Sequence, residues 1–416
     1  LPRFAWEVIE AAMPEAISRR QFMSACAASA APAAVPDICF GFFGIGKSPA
    51  NEDDIRGRVF KKDAPDHLWK WSKQGFAFTR LGQKRVMCNV CPNHCILEPG
   101  DRSVCRSKVN IGGTLYTLAY GNPCAANLEP IEKKPLFHFL PATKAFSIAA
   151  AGCNFRCLNC QNWEISQARP EDLDHYDLFP DKVVLTARRL SAQSVAYTYS
   201  EAVTWFEYMI DTAAIARQNH INNLLISNGF VNTGPLVSLC DYLDAANINL
   251  KSFDDRTYRR LNGGRLDPVL NTLKTLHEKK IHLEVTTLVV PGYVDDPEQI
   301  KRMCEWILSN IGPDHPHHFL RFFPKYRLDR LPPTPVSVLT KLREIAISEG
   351  IHYVYVGNVP GHEGNHTYCH NCGRLIIRRE GFTIIEYHLK KNRCIFCGQS
   401  IPGVWPDEFD SPMKGT

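Results

Sequence analysis

Cysteine spacing constrains this chain more than any other feature. Of sixteen cysteines, most fall in three tight clusters. Cys88, Cys91, Cys95 and Cys105 form the first, Cys153, Cys157 and Cys160 the second, and Cys369, Cys372, Cys394 and Cys397 the third. A disulfide scaffold would be shorter and would pair its cysteines across loops. Thiols crowded two or three residues apart ligate metal in a reducing setting instead. The remaining five, Cys26, Cys39, Cys124, Cys240 and Cys304, read as ordinary buried or free thiols.

Cysteine loops need a scaffold, and 416 residues with 44% hydrophobic and 22% charged side chains are enough for one large domain with appendages. The net charge of +5 is spread out, without a dense Lys/Arg block, so no nucleic-acid partner is expected. No run of eighteen apolar residues predicts a transmembrane helix. From about Pro141, short apolar runs alternate with amphipathic stretches, the pattern of βα units on a parallel sheet. Strand-like segments are Phe146–Ala151, Ser194–Tyr199, Asn223–Ser227, Ile248–Phe253, His282–Val290, His318–Phe323 and, after the last helix, His352–Val356. Helix-like segments include Ala202–Gln218, Leu236–Ala245, Leu266–Lys279, Pro297–Asn310 and Pro335–Glu349. Six βα repeats predict an α/β fold, an open partial (β/α)6 barrel with its site at the carboxyl ends of the strands. The expected domains are a targeting segment and linker (1–50), an N-terminal Cys-rich region (51–140), the barrel (141–365), a CxxC…CxxC ribbon module (366–405) and a tail (406–416).

The first fifty residues bear on compartment. Ser18-Arg19-Arg20-Gln21-Phe22-Met23 looks like a twin-arginine export motif, and an Ala-rich stretch from Ser24 to Val35 follows it. A chance Arg-Arg pair before an Ala/Pro linker is the alternative. Residence in the cytoplasm is expected from the supply of the cofactor considered next, with export or a membrane tether as the other outcome.

The run Gly152-Cys153-Asn154-Phe155-Arg156-Cys157-Leu158-Asn159-Cys160-Gln161-Asn162-Trp163 leaves the first barrel strand and enters a loop. Three thiolates at CxxxCxxC spacing can hold three irons of a [4Fe–4S] cubane and leave the fourth without a protein ligand. S-adenosylmethionine (SAM) can chelate that iron. An electron from the cluster can then break the sulfonium C–S bond, giving methionine and a 5′-deoxyadenosyl radical that abstracts hydrogen from a substrate. Part of a zinc site, or an electron-transfer cluster with a remote fourth cysteine, are the competing readings. The position at a strand's carboxyl end favours SAM chemistry.

Residues from about Val86 to Trp405 resemble the AmmeMemoRadiSam system radical SAM family, related to the pyruvate formate-lyase activating enzymes. The resemblance rests on Cys88-x-x-Cys91-Pro92-Asn93-His94-Cys95, Pro130-Ile131-Glu132-Lys133-Lys134-Pro135-Leu136, the Cys153–Trp163 run, Tyr197-Thr198-Tyr199-Ser200-Glu201, Ser227-Asn228-Gly229 and Asn249-Leu250-Lys251. Glu284-Val285-Thr286-Thr287, Pro291-Gly292, Tyr353–Asn358 and the two CxxCG pairs complete it. It implies a Glu201 contact to the SAM amino group. It also implies that Ser227, Asn228, Asn249 and Lys251 line the ribose and carboxylate region, with Thr286 beside them. Asn159 stands where an aromatic often packs on the adenine. Ser200-Glu201-Ala202 replaces Asn-Glu-Pro, Asn249 an Asp, and Ser103 a Gly ahead of Cys105. These departures put a shared substrate in doubt. The implied partners are a low-potential donor of flavodoxin or ferredoxin type, AmmeMemo-type companion proteins, and a substrate that is a small molecule or, as for an activase, a protein. An iron–sulfur electron-transfer protein without SAM chemistry and a degenerate metal-stabilised scaffold are the alternatives from other classes.

The pairs Cys369/Cys372 and Cys394/Cys397, each followed by glycine, read as two knuckles sharing one zinc or rubredoxin-like iron. Bracing is the expected role, because forty residues make too small a core alone. Cys88, Cys91, Cys95 and Cys105 suit either zinc or an auxiliary cluster, with His94 as a substitute ligand. The Glu132-Lys133-Lys134 run is either a solvated patch or part of the site's mouth.

Overall fold

The computed structural model describes residues 59–406. The Arg19-Arg20 segment, the 1–50 region, Cys26, Cys39 and residues 407–416 lie outside the described residues. An eight-stranded sheet forms the centre, with strands β1 (Ala125–Pro130), β2 (Lys144–Ala149), β3 (Ser194–Tyr197), β4 (Asn222–Ser227), β5 (Ala245–Asn249), β6 (His282–Val289), β7 (His317–Arg321) and β8 (Val354–Gly357). Their spatial order follows the chain without interruption. Strands β2 to β8 are parallel, and β1 pairs antiparallel with β2 at the edge. Parallel neighbours need a long crossover. Six helices supply it: α1 (Pro180–Arg189), α2 (Phe206–Gln218), α3 (Thr233–Cys240), α4 (Leu266–Glu278), α5 (Pro297–Asn310) and α6 (Val336–Glu349).

Local chemistry sets the helix limits. Asp296 accepts from the Glu298 and Gln299 amides ahead of Pro297, which fixes the start of α5. Gly350, at φ 112°, ends α6 in the left-handed region that suits glycine. The β5 strand begins three residues before the expected Ile248–Phe253, and α3 ends at Cys240 rather than Ala245. The reason is that Asn247 and Asn249 alternate through β5 and mask its apolar pattern, while Asn247 Nδ2 donates to Pro135 O at 2.7 Å.

Alternation along β6 separates the two faces of the sheet. Val285 and Val289 join the main core with Ile300 and Met303 of α5, and Thr287 Oγ1 lies 3.7 Å from Met303 Sδ. Glu284 and Thr286 therefore take the other face. There the segment 131–140 closes the amino-terminal end: Ile131, Leu136 and Phe139 pack on Ala145, Ala196, Leu224 and Ala245. The small alanines leave room for this plug. Glu132 and Lys134 of the same segment are buried, Lys134 pairing with Glu129, so only the partly exposed Lys133 fits a solvated patch.

The carboxy-terminal module carries strands Thr367–Tyr368, Leu375–Glu380 and Thr383–Tyr387 in one antiparallel sheet, plus a short hairpin. It is stapled to the plug. Arg379, 2% exposed, donates to Phe137 O (3.1 Å) and lies 4.2 Å over the Phe137 ring. His138 bonds Pro402 O at 2.7 Å and Tyr355 Oη at 2.6 Å. The amino-terminal cysteine region docks at the opposite end, where Asn232 bonds the carbonyls of Val90 and Asn89 and Arg265 bonds that of Pro92.

Candidate active site

The loop after β2 carries Cys153, Cys157 and Cys160, and the segment after β3 carries Glu201. Ser227 and Asn249 end β4 and β5. Parallel topology alone thus gathers these residues at one end of the sheet. Phe155 N donates to Cys153 Sγ (3.4 Å), and Asn228 Nδ2 lies 3.9 Å from the same sulfur. Burial, then the charges of Glu201, Cys157 and Cys160, push the Cys153 thiol well above its ordinary value. Burial and Cys157 push Cys160 up to about 11. Three thiolates gathered here would need a compensating cation.

Glu201 is buried. Its carboxylate accepts from Ser227 Oγ (2.7 Å), Asn228 N (2.8 Å) and Val203 N (3.2 Å). Burial raises its carboxyl; those donors and the Lys251 charge pull it back only in part. The Lys251 charge lowers both the Cys160 thiol and the Glu201 carboxyl, while its backbone N donates to Tyr258 Oη at 3.0 Å. Asn249 Nδ2 donates to Ser227 O at 3.3 Å, and Asn249 is in register with Thr286 on β6. Among the buried polar atoms without an internal partner at this end are Asn159 Oδ1, Thr286 Oγ1, Asn262 Oδ1 and Arg156 Nε. A ligand with amino, hydroxyl and carboxylate groups would answer them, so the residues present fit SAM.

Residues 147–307 match the family described as the radical SAM superfamily. Over 331 residues the chain is 42% identical to an uncharacterised protein of Methanocaldococcus jannaschii, covering 79% of this chain and 98% of that one. The chain belongs to the radical SAM superfamily. It is an enzyme of that class, so a [4Fe–4S] cluster and SAM are its implied cofactors. A pyruvate formate-lyase 1-activating enzyme of Escherichia coli K12 is 26% identical over 212 residues, 47% of this chain and 85% of that one. A solved domain of a pyruvate-formate lyase-activating enzyme from Bacteroides vulgatus overlaps 40% of this chain and 99% of that one, with a TM-score of 0.35 and 17% identity.

Two residues of this radical SAM site escaped the sequence reading. Asn262 Nδ2 donates to Cys157 Sγ at 3.2 Å, while its carbonyl accepts from Arg156 N at 2.8 Å. It ends the π-helical turn Tyr258–Asn262, a distortion that often marks function but leaves no pattern in sequence. Asn154, inside the cysteine run, bonds Asn228 (2.7 Å) and the Phe230 carbonyl (2.8 Å), tying the β2 loop to the β4 loop. Its place between two ligands was the available signal.

The flanking sets differ. The sulfurs of Cys369, Cys372, Cys394 and Cys397 all lie within 4.8 Å of one another, with Cys369–Cys397 at 3.6 Å and Cys372–Cys394 at 3.9 Å. Gly373 and Gly398, at φ 68° and 75°, donate to the carbonyls of Cys369 and Cys394, which closes two matching knuckles. The Gln399 amide, then Asn371, hold the Cys397 thiol at about 6, a thiolate ready for an ion. Cys88, Cys91, Cys95 and Cys105 instead line one enclosed cavity, with His94 outside that lining and exposed. Ser103 Oγ lies 3.0 Å from Cys105 Sγ. No helix among the described residues is long and apolar enough to cross a membrane.

Proposed function

We propose that Cys153, Cys157 and Cys160 hold a site-differentiated [4Fe–4S] cluster at which SAM is reductively cleaved, and that the enzyme abstracts hydrogen from its substrate. When loaded, that cluster supplies the electron that breaks the sulfonium C–S bond and yields the 5′-deoxyadenosyl radical. The observations that carry the reading are the three thiols on the β2 loop, the Glu201 carboxylate held by Ser227 and Asn228 at the same end of the sheet, Asn228 in turn reaching Cys153 Sγ, and the unanswered buried oxygens of Asn159 and Thr286. Glu201 would take the SAM amino group beside its existing donors. Lys251 would face the carboxylate, and Asn249, Ser227 and Asn228 the ribose side. Asn159 would meet the adenine by hydrogen bonding rather than by stacking. The sheet would curve into a partial barrel around them, with the plug sealing its lower end.

The same reading takes the AmmeMemoRadiSam assignment, a flavodoxin- or ferredoxin-type donor, a cytoplasmic setting where SAM is made, and one zinc or iron ion bracing the ribbon. Activation of a partner protein is the favoured branch for the substrate, because a named activase shares 26% identity over 212 residues. Small-molecule modification is the other branch.

Anaerobic reconstitution, reduction with dithionite and addition of SAM should release 5′-deoxyadenosine from the wild type and none from Cys160→Ala. A fully loaded wild type that releases none, with or without candidate substrates, removes the reading.

A further inference from the structure

We propose that Cys88, Cys91, Cys95 and Cys105 bind a second, fully thiolate-ligated [4Fe–4S] cluster that passes electrons to the one at Cys153, Cys157 and Cys160. The relay part rests on the SAM-cleavage reading above; the cluster itself does not.

Sulfur spacing separates zinc from a cubane. A tetrahedral ion with Zn–S bonds of about 2.3 Å needs sulfurs about 3.8 Å apart. The carboxy-terminal set has that spacing, and among the described residues it is the one group of three or more ligands drawn so tightly. The amino-terminal four stand back around an enclosed cavity, whose wall also includes Lys108 and Thr204. A cubane puts its own irons and sulfides between the thiolates, so its ligands stand wider apart than those of a single ion, and no three of these four lie within 4.8 Å of one another. Cys88, Cys95 and Cys105 are buried and Cys91 is partly exposed, so Cys91 is the least covered of the four. Lys108, 1% exposed and paired at 2.6 Å with Glu207, sets a cation beside the thiols. Burial, nearby charge and donors to sulfur are the levers that set a cluster's potential.

The two cysteine sites share a wall. Gly152, which precedes Cys153, sits so close to the first set that a methyl group there would lie 2.3 Å from both Cys105 O and Ser107 Oγ. Ser107 Oγ donates to Ala151 O at 2.9 Å, and Asn93 Nδ2 to Asn154 O at 3.0 Å. Thr204 lines the cavity and also donates to Gly152 O at 3.3 Å. A low-potential one-electron donor protein of flavodoxin or ferredoxin type would reduce the outer cluster at its Cys91 corner. That electron then crosses the Gly152 backbone to the inner cluster, leaving the outer one reoxidised.

Acid-labile sulfide tests the cluster without SAM chemistry. The triple variant Cys153→Ala/Cys157→Ala/Cys160→Ala should keep about four sulfides per chain after reconstitution, and the wild type about eight. Its reduced electron paramagnetic resonance signal should not respond to SAM. Four in the wild type and none in the variant, with zinc in place of iron, overturns the cluster. For the relay, Cys91→Ser should lose 5′-deoxyadenosine formation driven by reduced flavodoxin and retain it with dithionite, a reductant small enough to reach the inner site directly. Equal retention or equal loss with the two reductants overturns the relay.

Discussion

The two ends of the central sheet are built around buried carboxylates with different surroundings. At the amino-terminal end, Glu284 is fully buried and accepts four bonds: His318 Nε2 (2.6 Å), His138 N (2.7 Å), Phe137 N (3.0 Å) and His282 Nε2 (3.0 Å). Donors for that carboxylate come from the plug and from neighbouring strands, although Glu132 Oε2, Asn247 Oδ1 and Arg379 Nε nearby have no internal partner. At the carboxyl end, Cys153, Cys157 and Cys160 share one loop, and the Asn159, Asn262 and Thr286 side-chain oxygens find no partner. The first end is finished around its carboxylate by folding; the second gathers thiols and open polar atoms. That division is what a scaffold with its chemistry at strand ends requires.

The largest expected effect lies in the ribbon that covers the closed end. Cys394→Ser removes a buried thiolate, and ion binding in such small modules is worth on the order of 10 kcal/mol. The variant should lose its carboxy-terminal ion and become cleavable by protease within 366–405, while dithionite-driven 5′-deoxyadenosine formation persists. Simultaneous loss of both would break the separation of the two ends. Glu284→Gln comes next, at about 3–5 kcal/mol, because it leaves buried donors without their charge. Burial alone would raise the Glu284 carboxyl, yet the His282 and His318 bonds hold it far below the ordinary range. A depressed folded value means the contribution is complete above an unfolded carboxyl's value of about 4.3 and drains as pH falls below it. Urea midpoints of wild type and Glu284→Gln should therefore differ widely at pH 7 and converge in acid; a gap independent of pH would count against the ion-pair account.

Much of this was legible in the sequence for a physical reason. Strands buried on both faces read as apolar runs, and Pro297–Asn310 announced both its ends, Asp-Pro before it and Ile-Gly after. Legibility failed where polar residues turn inward. Asn247 and Asn249 displaced β5, and β1, Ala-Ala-Asn-Leu-Glu-Pro, has little strand propensity and pairs only at an edge. Glu132 and Lys134 read as either a solvated patch or part of the site's mouth, because the partners that bury them, Ala142 and Glu129, lie outside the run. Cysteine spacing marked all three clusters, but only sulfur geometry separates the tight carboxy-terminal set from the cavity lined by Cys88, Cys91, Cys95 and Cys105.

Gly152→Ala probes the wall at the open end. At φ 101° an alanine is strained by about 1–3 kcal/mol, before its methyl meets Cys105 O and Ser107 Oγ. Reconstituted iron should fall at both the Cys88 and Cys153 sets, while the carboxy-terminal ion stays. Iron loss confined to one set would show that the wall is not shared.

Thr286→Val is the smallest change and the sharpest test of the contrast. Its hydroxyl is buried without a partner, so replacing it with a methyl removes an unmet polar group and should leave the cofactor-free protein as stable as before, or slightly more so. If the hydroxyl answers SAM, the variant should bind it more weakly by about 0.5–1.5 kcal/mol, measured by equilibrium dialysis. The two readouts then move apart, a combination that a residue merely filling the core cannot produce. A destabilised apoprotein with unchanged SAM affinity would assign Thr286 to the finished part of the sheet, and the boundary between the two ends would lie nearer the cysteines.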